Sequence, residues 1–516
     1  MKRVLFVLVF CTSLYILYLQ GLSWPLETKK SNQLLYLCQK EAQTLDPAQA
    51  QDYFSARIIA NIYEGLVKFK PGTVEVEPCL ATGWEISPDG LRWIFKLRSG
   101  VTFHDGTPFN ADTVKLSIDR QLNKKETRNT AALFLGMIES VQVIDQLTVC
   151  FHLRFPYTPF LNNLALPFAA PITNPGAVKE SGSDLARHPV GTGPYSLEKW
   201  EPGREIILKA NSAYWGEKPA TSKIIFRVES KPAKRTHLIL NGKADLSDVT
   251  PEDIPLLAKK GIKIWRAPGA DISYLGFYTN KKPFQNPQVR YAASQAINQP
   301  QLIQELFGEN VISASGPLPP GIIGYAQELQ QPPYNPRQAH QLLAAAGYPD
   351  GLKITIITYA ETRPYNPAGG EKLAWILAKQ LAGAGFQARI IAYPWEEFKK
   401  ALLRQEGDAF LYGWTGENGD PDNFLYTLFS SAQITNGLNA THYHNQKIDT
   451  LLITAQRTLA PALRSRLYQD VQKQLLQDMP AFFINHSLFL VAAAPDIQGI
   501  TIRPGGYFYF SVVKKD

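Results

Sequence analysis

Two hydrophobic periods run through this chain, and where they change marks its organisation. From residue 33 to about residue 268 short strands and helices are mixed. Leu91, Trp93, Phe95 and Leu97 alternate with mostly polar neighbours, as a strand with one buried face requires. Ser99-Gly100 reads as a turn, and Val101 and Phe103 resume the alternation, so the pattern predicts an antiparallel pair. A second hairpin is predicted from Val141 and Val143 through a turn at Asp145-Gln146 to Leu147, Val149, Phe151 and Leu153. Helix ends are punctuated by a polar cap, a proline at the first helical position and a glycine past the end. Thr250-Pro251 with Gly261 is one case, Asn335-Pro336 with Gly347 another, and Asn286-Pro287 opens a third.

Beyond Asp271 the order is clearer. Strand 352–359, helix 371–384, strand 386–391, helix 394–404 and strand 409–413 follow in turn. Strands alternating with helices of this length predict an α/β fold with a parallel sheet and right-handed crossovers. Ligands of such sheets sit at the carboxyl ends of the strands, which singles out the loops after Tyr359 and after Gly413. No internal repeat is evident, which argues against a solenoid.

Composition narrows the class. With 516 residues, 45% hydrophobic and 19% charged, the chain can bury more than one core and is globular. The net charge of +8 is spread over scattered pairs such as Lys259-Lys260 and Lys399-Lys400, without a run of five like charges. That distribution reads as a solvated surface, and no nucleic-acid partner is expected. Lys2-Arg3 precedes an apolar run from Val4 to Leu19, interrupted only by Thr12 and Ser13, the layout of an export signal. Residues 1–25 are therefore expected to be a signal peptide or an N-terminal anchor, and the protein to work in the periplasm or cell envelope. The stretch from Gln20 to Pro25 lacks a clean cleavage site, and the apolar run is short for a bilayer crossing. Of the four cysteines, Cys11, Cys38, Cys79 and Cys150, no two form a C-x-x-C pair. Removal of the signal leaves three, so at least one thiol is free or pairs between chains.

A search for catalytic chemistry finds little. The sequence contains no G-x-S-x-G, no P-loop and no H-E-x-x-H, so an enzyme is not expected. His104-Asp105-Gly106 reads as a turn rather than a catalytic pair. In Gly191-Thr192-Gly193-Pro194-Tyr195 the proline lacks an N–H for phosphate, so a tight turn near a lobe interface is expected. His442 and His444 have no third metal ligand nearby, and Pro421 breaks the spacing a calcium loop would need from Glu417, Asp420 and Asp422. No metal and no cofactor are expected. What survives is a set of charged and aromatic residues at predicted strand ends. Arg363 and Tyr365 follow one strand, Trp414 and Glu417 another, and Trp395 the strand between. A zwitterionic ligand needs a cation at one end and an anion at the other, and arginine offers a fork matched to carboxylate.

At these residues a resemblance enters. The run from Leu80 to Phe109, with Gly-Trp-Glu-Ile-Ser-Pro-Asp-Gly at its start and Val-Thr-Phe-His-Asp-Gly-Thr-Pro-Phe at its end, closely resembles the signature of the family 5 extracellular solute-binding proteins of ABC importers. Pro189-Val-Gly-Thr-Gly-Pro-Tyr and Val289-Arg-Tyr-Ala-Ala-Ser-Gln-Ala-Ile-Asn match further family segments. Thr362-Arg-Pro-Tyr-Asn-Pro and Gly413-Trp-Thr-Gly-Glu-Asn-Gly-Asp-Pro-Asp-Asn-Phe are most similar to the dipeptide-binding branch. The resemblance implies a two-lobed periplasmic-binding-protein-like fold with a hinge and an added subdomain. Lobe I would span 31–270 plus 487–516, with the subdomain at about 66–188, and lobe II 271–486. It implies that Arg363 holds a ligand carboxylate, Glu417 an amino group, and Tyr365, Trp395 and Trp414 line the pocket. The implied partners are a short peptide, most simply a dipeptide, and a membrane permease, with the protein a monomer. Oligopeptides, glutathione, haem and nickel complexes are the ligand alternatives on this fold. The chain departs from the pattern in having Glu417 where the branch has aspartate. It also lacks partners for the two disulfides of the family, only Cys38 standing where a half-cystine would.

Overall fold

The computed structural model describes residues 32–50, 52–123, 134–177, 184–503 and 506–516. The expected signal or anchor at 1–25 lies outside them.

Two sheets are joined through one long strand, Ala481–Ala493. Its first half pairs antiparallel with Asp271–Phe277 and with Val311–Ser313. Its second half pairs with Lys263–Pro268 and Leu246–Asp248. The chain thus passes between the sheets twice, at Gly269-Ala270 and at Ser487-Leu488. The passages touch. Gly269 N–H donates to Ser487 O at 2.9 Å, and a Cβ on Gly269 would lie 2.4 Å from the Ser487 hydroxyl. The Asp271 carboxylate accepts the Ser487 N–H at 2.7 Å and the Ser487 hydroxyl, while His486 bonds Asp271 O at 2.6 Å. Burial raises the Asp271 carboxyl to about 6 and lowers the His486 imidazole to about 4, so the crossing is held by hydrogen bonds rather than by an ion pair.

In the first sheet Gln33–Cys38 runs parallel to Lys223–Val228 and to Leu246–Asp248, and the hairpin Tyr195–Glu201 with Glu205–Ala210 extends the edge. A separate four-stranded sheet has the order Ala81–Ile86, Arg92–Leu97, Thr148–Leu153, Ile138–Asp145. The hairpin expected around Asp145-Gln146 is present. The pair expected across Ser99-Gly100 is not. Strand Arg92–Leu97 pairs instead with Ala81–Ile86 and Thr148–Leu153. Val101 and Phe103 are buried in a loop, because their side chains reach the core from a turn in which Phe103 N–H bonds Thr107 O and Thr102 bridges Pro108. The small sheet has no core of its own. Trp93, Phe95, Val149 and Phe151 belong to one apolar cluster with Leu34, Tyr36 and Ile59.

The second sheet carries the expected alternation. Leu352–Tyr359 is parallel to Phe386–Tyr393 and to Ala409–Thr415, with helices Gly370–Ala382 and Trp395–Leu403 as crossovers. Ile354 and Ile356 face one apolar cluster with Leu373, Ala374 and Leu377, and Ile357 and Tyr359 face another with Phe398, Phe424 and Leu452. Helices therefore cover both faces, which is why these strands read as nearly continuous apolar runs. The sheet is mixed rather than wholly parallel. Asp271–Phe277 enters antiparallel beside Ala409–Thr415, since it arrives directly from the first sheet without a crossover helix.

Candidate ligand-binding site

Because Ile356 pairs with Ala409 and Tyr359 with Tyr393, the three parallel strands end on the same edge, and the loops that follow them meet there. The loop after Tyr359 folds back on itself: Arg363 N–H bonds Asn366 O at 3.1 Å and Asn366 N–H returns to Arg363 O at 2.9 Å. Asn366 also donates to the Tyr359 hydroxyl at 3.0 Å, and Asn485 donates to Tyr365 O at 3.0 Å. This fixes two side chains. Tyr365 turns inward onto Gly413, where a Cβ would stand 2.2 Å from its ring, so the glycine at that strand position is required by the tyrosine. Arg363 turns onto Trp395, its guanidinium carbon 3.7 Å from the ring centroid.

Trp395 begins the helix after Phe386–Tyr393 and packs on Tyr359 (5.8 Å, edge on), Phe398 (5.8 Å, stacked) and Tyr412 (6.1 Å, stacked). A guanidinium over such a face is attracted to the ring quadrupole and keeps its fork free. The Arg363 Nε is buried and has no hydrogen-bond partner. Arg363 is positioned, and its charge is not neutralised by any carboxylate among the described residues.

The loop after Ala409–Thr415 supplies the opposite charge. Gly416 N–H bonds Ala270 O at 2.6 Å, Gly419 closes a turn on Gly416 O with φ +63, and the Asn418 side chain caps Asp420 N–H at 3.0 Å. Glu417 sits at the tip of this turn, half-buried. Burial alone pushes its carboxyl up to about 7, and among the described residues no cation stands beside it. Trp414, one residue before Thr415, is half-buried and held by its indole N–H, which donates to Asn423 at 2.7 Å.

The two acidic neighbours of Glu417 do something else. Asp420 takes both arms of Arg464, at 2.7 and 2.8 Å, with both residues buried. Asp422 accepts the Tyr157 hydroxyl at 3.0 Å and the Gln456 amide at 2.9 Å, and burial and then the Asp420 charge raise its carboxyl to about 7. Tyr157 belongs to the small-sheet side of the molecule. Thr158 N–H to Gln456 O (2.7 Å), Asn162 to Asn418 O (3.0 Å) and Asn418 to Asn163 (2.7 Å) cross in the same place. The loop carrying Glu417 is therefore clamped both from its own side, by Arg464, and from the small-sheet side, by Tyr157, Thr158, Asn162 and Asn163.

Sequence reasoning missed this clamp and Tyr412. Arg464, Tyr157 and Asn162 lie far from the loop in the chain, and no local pattern marks them; Tyr412 sits inside an apolar strand and reads as core. Other flagged residues have local roles. His442 bonds Gln405 at 2.8 Å and His444 bonds Ser431 at 2.6 Å. The turn at His104 and the loop at Gly191 pack on each other, through His104 N–H to Gly191 O (2.9 Å) and His104 Nε2 to Gly193 O (3.0 Å). That loop lies against Ile62 O, which a Cβ on Gly191 would meet at 2.1 Å. Cys38, Cys79 and Cys150 are buried free thiols.

The chain is similar to known proteins over most of its length. The chain is 33% identical over 474 residues to a dipeptide-binding protein of Escherichia coli (strain K12), covering 88% of each. It is 33% identical over 476 residues to a glutathione-binding protein of Salmonella typhi, covering 90% of this chain and 91% of the relative. Its backbone superposes on the structure of HbpA2 from Haemophilus parasuis with a TM-score of 0.88 at 31% identity, over 94% of this chain and all of the other. Residues 75–436 match the family model for bacterial extracellular solute-binding proteins, family 5 Middle. On these grounds, and with a fold of the periplasmic-binding-protein kind, the chain is a solute-binding protein and not an enzyme, and it belongs to family 5 of the bacterial extracellular solute-binding proteins.

Proposed function

We propose that this protein captures short peptides, dipeptides first among them, outside the cytoplasm and delivers them to the permease of an ABC importer. The observation that carries the reading is one pair of charges. Arg363 and Glu417 follow adjacent parallel strands, neither has an ion-pair partner among the described residues, and the Arg363 guanidinium lies over Trp395. A peptide has a carboxylate at one end and an ammonium at the other. The fork of Arg363 suits the carboxylate, and an ammonium beside Glu417 would return its proton to solvent and form a charge-assisted bond. Tyr365, Trp395 and Trp414 offer apolar walls that accept varied side chains. The names of the relatives, a dipeptide binder and a glutathione binder, are consistent with ligands of this size.

In this reading lobe I comprises 31–270 plus 487–516, with an added subdomain at about 66–188, and lobe II comprises 271–486. The two passages beside Asp271 and Ser487 are the hinge. Residues 1–25 direct export to the periplasm or envelope and are cleaved or retained as an anchor, and the protein acts as a monomer. Mass spectrometry of ligand released from purified protein, with calorimetric titration of di-, tri- and tetrapeptides, tests the assignment. Selective dipeptide binding supports it. Failure to bind any peptide, with haem or a metal complex recovered instead, would keep the fold and overturn the ligand.

A further inference from the structure

A second arginine stands over an aromatic ring as Arg363 does, on the first-sheet side of the molecule. The C-terminal segment after strand Ile497–Gln498 makes a tight turn in which Gly506 N–H bonds Arg503 O at 2.8 Å and Arg503 N–H bonds Tyr507 O at 2.9 Å. The turn is pinned to helix Tyr53–Ile62. Tyr53 donates to Gly506 O at 2.5 Å, and the Asn61 side chain bonds Phe508 O at 3.3 Å and Phe510 N–H at 2.9 Å. Phe489 fills the space a Cβ on Gly506 would need, at 2.2 Å. Hydrogen bonds thus tie the segment that carries Arg503 to helix Tyr53–Ile62.

Its side chain is 4% exposed, and its guanidinium carbon lies 4.0 Å from the centroid of the Tyr509 ring. The terminal Nη1 is buried without a hydrogen-bond partner, and so is the neighbouring Tyr507 hydroxyl. Other buried arginines of the same lobe have partners for their terminal nitrogens, although the Arg57 Nε is also unfilled. Arg57 pairs with Asp248 at 2.9 Å, and Arg235 donates to the carbonyls of Asp248, Glu229 and Ser230 at 2.8 to 3.1 Å. An arginine buried with an unfilled arm costs free energy unless something outside the chain fills it. Burial above all raises the Tyr507 phenol, with smaller effects from Tyr509, from the Arg503 charge, which lowers it, and from the Glu417 charge, which raises it, so one hydroxyl feels both charges.

We infer that Arg503, with the Tyr507 hydroxyl, is a second anion-binding point on the lobe I wall, so that the preferred ligand is a short peptide with an acidic side chain in addition to its terminal carboxylate. This rests on the peptide reading above and narrows it. Among the described residues these two guanidinium groups and the Glu417 carboxylate have no ion-pair partner, an excess of positive charge that a net anionic peptide balances and a neutral zwitterion does not.

Calorimetric titration of the ligand-free full-length protein with Ala-Glu, Glu-Ala and Glu-Ala-Ala, each against its glutamine isostere, tests this. The expected result is a preference of roughly tenfold or more for at least one acidic peptide, the effect of one charge-assisted hydrogen bond. In Arg503→Met the acidic-to-neutral ratio falls to near one, and in Arg503→Lys, which keeps the charge and loses the fork, it falls part of the way. Equal binding of acidic and neutral peptides by the wild type, within twofold, would overturn the second anion point and leave the peptide assignment standing; this comparison needs no variant to fold. A preference that persists undiminished in both variants would move the anion point away from Arg503. If no peptide binds, the peptide reading fails and this inference falls with it.

Discussion

Asp420 and Glu417 stand three residues apart in one loop and have opposite fates. Asp420 is buried and accepts both arms of Arg464, while Glu417 has no cation beside it among the described residues and a carboxyl raised to about 7. The same contrast separates two arginines. Arg464 is neutralised inside the chain, and Arg363 lies over Trp395 with its Nε unfilled. Around this loop the charges that hold the fold are paired within it, and those proposed for a ligand are positioned but, among the described residues, unpaired. Leaving a charge half-buried and alone is unfavourable, so the paired set must make the loop rigid enough to hold the unpaired set in place.

Breaking the paired set should have the largest effect. Arg464→Met leaves Asp420 buried without a partner and should lower stability by about 3 to 5 kcal/mol. A large fall in the thermal midpoint checks it, and an unchanged midpoint would mean that the pair is better solvated than its burial implies. Removing an unpaired charge should have the converse signature. Arg363→Ala should weaken binding of free dipeptides by roughly a hundredfold, the effect of losing a charge-assisted fork, while thermal stability without ligand changes little. Calorimetry and a melting curve on the same sample separate the two outcomes.

The protonation of Glu417 sharpens the comparison further. Its carboxyl titrates near 7 in the free protein because burial disfavours the charged form. A ligand ammonium binds the ionised form, so dipeptide affinity should rise with pH, by about tenfold between about pH 6 and pH 7.5, with proton release at the lower end. Stability of the unliganded fold should move the other way. A raised carboxyl binds its proton more tightly folded than unfolded, so that contribution is present below the ordinary carboxylate range and is lost as pH rises through about 7. Asp422 adds to the same trend. A flat affinity profile would remove Glu417 from the amino-group role. The smallest effect is expected at Tyr157, whose hydroxyl bonds Asp422 across the cleft. Tyr157→Phe should cost about 1 kcal/mol or less of closure, read as a modest rise in the rate of ligand release.

The legible parts of this molecule were those governed by local periodicity. In the segment from Leu352 to Gly413 both faces of the sheet are covered, so apolar runs of strand length alternate with amphipathic helices, and the helix expected at 371–384 spans Gly370–Ala382. Caps at Asn286 and Asn335 were equally plain, each side chain accepting a helix N–H. Where contacts are distant in the chain the sequence is silent. The alternation at Val101 and Phe103 has the period of a strand but belongs to a buried turn, since burial and not pairing sets that pattern. The strand Ala481–Ala493 is apolar on either side of the polar triplet Asn485-His486-Ser487, and nothing local says that the triplet marks a crossing between two sheets. Arg363, Tyr365, Trp395, Trp414 and Glu417 stood out through strand ends and family resemblance. Arg503 did not, because its significance lies in an unfilled arm that only the folded surroundings reveal.

The most direct test of the central claim, that two unpaired charges hold the two ends of a short peptide, is calorimetric titration of Ala-Ala beside its N-acetylated and C-amidated forms. The account predicts that either block weakens binding by roughly a hundredfold, because each removes the partner of one cleft charge. Blocked and free dipeptides binding with equal affinity would contradict it.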